Sequence, residues 1–103
     1  MNSVKNESQN EAKNQLIKAL KNDLPVLRAR IGLSQEAIAD KIGISRQTYS
    51  SIETGKREMG WTTFLALVAF FQNNDQTMQM LKQVNGLLNG IERILHDQKE
   101  EVF

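Results

Sequence analysis

The stretch SQEAIADKIGISRQTYSSIETGKR, residues 34–57, limits the possible fold more than any other part of the chain. Two runs with helical patterning, 35–42 and 46–54, are separated only by Gly43, Ile44 and Ser45. Ser34 and Ser45 each precede a run, and a serine hydroxyl there can accept from an exposed first-turn amide. Gly43 and Gly55 each follow a run, where a left-handed residue ends a helix and glycine adopts that conformation at little cost. A connection this short makes the two helices cross steeply.

The apolar spacing agrees. With Gln35 as position 1, positions 4, 8, 10, 15 and 18 are Ile38, Ile42, Ile44, Tyr49 and Ile52. These five are expected to fill the wedge between the helices, and Ala39 is small enough to let them approach. The second helix then leaves Arg46, Gln47, Thr48, Ser50, Ser51 and Thr54 outside. They are polar or basic groups, able to donate to or accept from base edges.

The rest of the chain reads as further helices without strands. Residues 1–9 are expected to be a flexible tail, followed by an amphipathic segment over 10–22 carrying Leu16, Ile17 and Leu20. Asp23 can cap a separate helix reaching Ile31, with Pro25 tolerated in its first turn. GWTTFLALVAFF supplies another helix, capped by Gly60 or Thr62, with Trp61, Phe64, Leu67, Val68 and Phe71 at core spacing. Leu65 and Phe70 add apolar surface outside that stripe, which calls for a cover. Toward the C-terminus, Leu81, Val84, Leu88, Ile91 and Leu95 recur at alternating spacings of three and four, with Leu87 and Ile94 beside them. This predicts one amphipathic helix of about five turns, although Asn85-Gly86 and Asn89-Gly90 could each end a helix. The expected architecture is an all-α bundle of five or six helices: a tail over 1–9, a domain over 10–74 and a C-terminal element over 75–103.

Composition narrows the function. The 103 residues contain no cysteine and one histidine, His96, expected on the surface. Disulfides, thiolate chemistry and a metal site are therefore not expected, and neither is a cofactor. No constellation of nucleophile and base argues for an enzyme. The polar N-terminus lacks the apolar core of a signal peptide, and no apolar run is long enough to cross a bilayer, so a cytoplasmic location without membrane contact is expected. Net charge is +1, but residues 18–57 hold eight bases against four acids, whereas 75–103 hold three bases against five acids. The basic half is the place to look for a polyanion.

LSQEAIADKIGISRQTYSSIETGKR resembles the helix-turn-helix of the Cro and phage-repressor (XRE) family, over about residues 24–72 with the flanking helices included. The LSQ entry, the Ala and Gly positions, the SRQT start and the IETGKR exit match together. The resemblance implies a compact bundle whose third helix reads the major groove of double-stranded DNA.

It also implies roles for particular residues. Residues 46–54 become the recognition helix, entered through Ser45, with Arg46 and Gln47 placed for base contact. Arginine can donate twice to guanine and glutamine can match adenine. Ser50 and Ser51 lie one turn on, within reach of bases or phosphates. Thr48 offers a methyl to thymine and a hydroxyl to phosphate. Gln35 is expected to touch the DNA backbone or brace the recognition helix. Lys56 and Arg57 resemble phosphate clamps, and Glu53 is expected to pair with one of them. Tyr49 departs from the small aliphatic usual at its position. Its ring is assigned to the core, with a phosphate contact by its hydroxyl left open. Leu81, Val84, Leu88, Ile91 and Leu95 become a homodimer seam or, more plainly, an intramolecular lid over Leu65 and Phe70. The implied function is a dimeric repressor on a palindromic operator. The alternatives are an antitoxin that binds a toxin protein and represses its own operon, and a fold used only for protein binding.

Overall fold

The computed structural model describes the backbone of residues 2–84 and 86–102 and the side chains of 9–84 and 86–96. Met1, Asn85 and Phe103 lie outside the described residues. Six helices follow in order: α1 (Asn2–Ile31), α2 (Gln35–Ile42), α3 (Arg46–Thr54), α4 (Trp61–Gln72), α5 (Asp75–Lys82) and α6 (Leu87–Val102). No strand occurs among the described residues.

The turn at Gly43 forms as the sequence predicts. Ser34 accepts from the Ala37 amide at 3.0 Å and Ser45 from the Thr48 amide at 3.0 Å, so both helices begin on a serine cap. Gly43 takes φ +83°, and the amides of Gly43 and Ile44 both donate to the Ala39 carbonyl, at 2.9 and 3.0 Å. This closes α2 and releases the chain toward α3. Ile38, Ala39, Tyr49 and Ile52 are buried, with Ile42 and Ile44 packed against them.

Helix α1 departs from expectation twice. Residues 2–9, expected to be a tail, have helical backbone. The expected break at Asp23 is absent, because α1 continues through Pro25. A proline inside a helix removes a hydrogen bond to the carbonyl four residues back and costs about 3 kcal/mol. Leu20, Leu24 and Leu27, all essentially inaccessible, form one stripe across the proline. Each buried leucine contributes roughly 1.5–3 kcal/mol, enough together to hold the helix in one piece. Helix α1 as a whole packs on α3, α4, α5 and α6, which makes it the spine of the bundle.

The predicted five-turn C-terminal helix is instead two helices. Asn74 caps α5 by accepting from the Gln76 amide at 2.9 Å, and buried Thr77 donates to the Phe71 carbonyl at 2.8 Å, joining α5 to the end of α4. Gly86, at φ +70°, then separates α5 from α6. The interruption changes the buried register. Leu87, Ile91 and Ile94 face inward, whereas Leu95 is 45% exposed. Leu81 is fully buried, so it is unavailable to a seam between copies. Helix α6 lies on α1 and α5, with Gly90 so close to Leu16 that a Cβ at 90 would stand 2.8 Å from its Cδ2. The C-terminus is thus a cover for α1; Leu65 and Phe70 are instead half-buried on the α4 surface against the core.

Gly43→Ala isolates the cost of the turn, because a Cβ there would meet nothing within 4 Å. Chemical denaturation should show a loss of about 1–2 kcal/mol, the ordinary penalty for a left-handed alanine.

Candidate nucleic-acid interface

Helix α3 owes its position to one carboxylate. Glu53 Oε1 accepts from Arg28 Nη2 at 2.9 Å and from Gln35 Nε2 at 2.9 Å. Its Oε2 accepts from Arg28 Nε at 3.0 Å and from the Tyr49 hydroxyl at 2.7 Å. Arg28 spends a further donor, Nη1, on the Leu33 carbonyl at 3.0 Å. One group on α3 is therefore tied to α1, to the first residue of α2 and to the loop between them. The Glu53 side chain is only 7% exposed and Arg28 21%.

Burial by itself would push the Glu53 carboxyl up. The hydrogen bonds from Arg28, Tyr49 and Gln35, with the guanidinium charge, outweigh it and hold the group below the usual carboxylate range. The bond to Glu53 raises Arg28 further. Burial, reinforced by the bond to the Glu53 carboxylate, pushes the Tyr49 phenol well above its ordinary value.

These bonds correct two expectations. Glu53 pairs with Arg28, not with Lys56 or Arg57. The Tyr49 hydroxyl is committed to Glu53 and its residue is buried, which leaves it no reach toward a phosphate. The bracing expected of Gln35 is present, and Arg28 is a positioning residue that the sequence reading did not single out. Its partner lies 25 positions away, beyond the range of helical periodicity.

With the inner face held in this way, the outer face of α3 is polar. Arg46 and Gln47 are exposed in its first turn, and Thr48, Ser50 and Ser51 are half-buried along it. Ser45 and Thr48 are coupled, the Ser45 hydroxyl donating to Thr48 Oγ1 at 2.9 Å while accepting from the Thr48 amide. Thr54 turns back onto the Ser50 carbonyl at 2.9 Å. Gly55, at φ +88°, ends the helix, and the amides of Lys56 and Arg57 both donate to the Ser51 carbonyl, at 2.9 and 3.1 Å. That turn leaves the exposed side chains of Lys56 and Arg57 just beyond the end of α3. Among the described residues no group of histidine, cysteine or carboxylate side chains could hold a metal, and no helix is long and apolar enough to cross a membrane.

The helix-turn-helix family HTH_3 matches residues 26–72, from the C-terminal part of α1 to the end of α4. The uncharacterized HTH-type transcriptional regulator MJ0272 of Methanocaldococcus jannaschii is 40% identical over 52 residues, half of this chain and 79% of that protein. The chain belongs to the XRE-type helix-turn-helix family. The uncharacterized HTH-type transcriptional regulator YgzD of Bacillus subtilis is 47% identical over 36 residues, 35% of this chain. The match spans about half of the length of that relative (54%). No solved structure matches the chain. The family match ends with α4; most of α1, and α5 and α6, lie outside it.

Glu53→Gln keeps the shape of the cluster and removes its charge. Breaking a largely buried ion pair should cost about 2–4 kcal/mol in denaturant unfolding. The pH dependence follows from the depressed carboxyl. The unfolded chain takes up a proton near pH 4.3, before the folded one does. The contribution is therefore complete above that pH and disappears as the pH falls through the folded value. Glu53→Gln should flatten this acid limb of the stability curve.

Proposed function

We propose that the protein is a sequence-specific DNA-binding transcription regulator, acting as a dimeric repressor on a palindromic operator. The observation that carries this reading is the outer face of α3. It begins with exposed Arg46 and Gln47, carries Thr48, Ser50 and Ser51, and is fixed from behind by the Glu53 cluster. Arg46 and Gln47 take the base edges, while Ser45, Thr48, Ser50 and Ser51 line the groove wall. Lys56 and Arg57 bind phosphates beyond the end of the helix. Gln35 has its amide NH2 engaged by Glu53, so its contact to DNA runs through the start of α2, where first-turn amides face outward. The relatives support regulation of transcription by their names, and occupation of an operator would exclude polymerase.

The dimer uses what α6 leaves accessible. Leu81 and Ile91 are consumed within the protomer, so the seam narrows to Val84, Leu88 and Leu95, joined by exposed Val26 of α1. Val26 and Val84 line the same groove between α1 and α5, which makes the surface continuous. A cytoplasmic location is part of the same reading, since that is where a DNA partner would be met.

Selection of bound sites from a random duplex pool tests the reading directly. A recovered motif with two inverted half-sites about one helical turn apart is expected. Recovery of no motif, or of a single half-site with a monomer in light scattering, would remove the DNA reading or the dimer respectively. On the recovered site, Arg46→Ala should lose about 1–3 kcal/mol of discrimination at one base pair and leave the melting curve unchanged.

A further inference from the structure

Helix α1 carries a basic strip next to the end of α3. Lys21 is close enough to the α3–α4 connection that its Nζ stands 3.0 Å from where a Cβ on Gly55 would be. A groove of about 330 Å³ runs between them, lined among others by Lys18 and Lys21 of α1 and by Gly55, Arg57 and Glu58. Lys18 is exposed and Lys21 half-exposed. The ion pair found among the described residues is Arg28–Glu53, so Lys18, Lys21 and Arg57 meet no carboxylate at pairing distance there. Asp23, the acidic neighbour on α1, lines the opposite groove toward α5. Lys18 and Lys21 thus line the groove toward the α3–α4 connection, and Asp23 the groove toward α5.

We propose that Lys18 and Lys21 form a second phosphate-binding strip, which extends the Lys56–Arg57 clamp onto the duplex flanking the base-read site. The proposal rests on the DNA reading above, and its support is the groove that Lys18 and Lys21 of α1 share with Arg57 of the α3–α4 connection. Both lysines precede residue 26, where the family match begins. It reads no base. It adds affinity, because each neutralised phosphate releases counterions from the duplex. Glu58, on the same groove, sets its edge by repelling phosphate.

The test is a salt titration of binding to the duplex recovered by selection, with ten flanking base pairs on each side. Each phosphate contact contributes about 0.9 to the slope of log affinity against log salt. The double variant Lys18→Gln/Lys21→Gln should therefore bind with a slope shallower by about 1.8, and about ten-fold or more weaker at 0.1 M salt. Its base preference should be unchanged. Lys18→Arg/Lys21→Arg should restore both slope and affinity. Trimming the flanks should reduce the wild-type slope to that of the glutamine variant. An unchanged slope in the glutamine variant overturns the strip and leaves the DNA reading standing, and so does a loss that arginine fails to restore. Wild-type protein that retards no duplex at low salt overturns both. Retention of polyglutamate by wild type and not by the glutamine variant, with equal DNA slopes, would assign the strip to an acidic protein instead.

Discussion

The orientation of α3 depends on a single carboxylate with four donors around it. An ionised carboxylate has about four acceptor positions, and Arg28, Gln35 and Tyr49 supply four hydrogen bonds to Glu53. Such a saturated, nearly buried group tolerates little displacement, because any partner lost leaves charge without compensation in a poorly solvated place. The apolar wedge of Ile38, Tyr49 and Ile52 fixes how far apart α2 and α3 lie. The polar cluster fixes rotation about the α3 axis, which apolar packing alone specifies weakly. Tyr49 belongs to both: its ring is in the wedge and its hydroxyl in the cluster. A larger residue than usual at this position therefore adds a constraint.

The helices outside the family match serve the burial of α1. Leu16 and Ile17 of α1 pack against the core but are only partly buried there, and they need further cover. Helix α6 supplies that cover through Leu87, Ile91 and Ile94, and glycine at 90 lets it approach closely. The break at Gly86 is what turns the chain back. The C-terminal stripe is therefore mainly structural, and only its edge at Val84, Leu88 and Leu95 remains for contact with another molecule.

Local features were legible in the sequence because their causes are local. Ser34, Gly43, Ser45 and Gly55 announce caps and stops within a few residues, and the structure contains each of them. The wedge of isoleucines followed from spacing within one short unit. Where a distant contact decides, the reading failed. Pro25 and Asp23 signal a new helix locally, but burial of Leu20, Leu24 and Leu27 in the core overrides the signal. Glu53 has bases three and four residues away, yet Arg28 reaches it in space from the opposite side. The three-four stripe from 81 to 95 was genuine apolar patterning. One left-handed glycine within it moved the buried face by one residue at two of its positions. The outward face of α3 was legible as a list of residues, and the network behind it was not.

The length of α3 ties these features to the proposed use. Nine residues of helix extend about 13 Å, comparable to the roughly 12 Å width of the major groove. Arg46 and Gln47 stand at one end of this span, and Lys56 and Arg57 at the other. A helix entering the groove by its N-terminus would bring the first pair to the base edges and leave the second pair near a phosphate strand. Rotation about the helix axis then decides which base each side chain meets, and that is the coordinate the Glu53 cluster restrains. Cations beyond the end of α3 need no such precision, since a phosphate strand presents charge at every step. This difference in tolerance accounts for the arrangement: the groups that would read bases sit on the most tightly held helix, while those that would meet phosphate occupy a glycine-terminated turn.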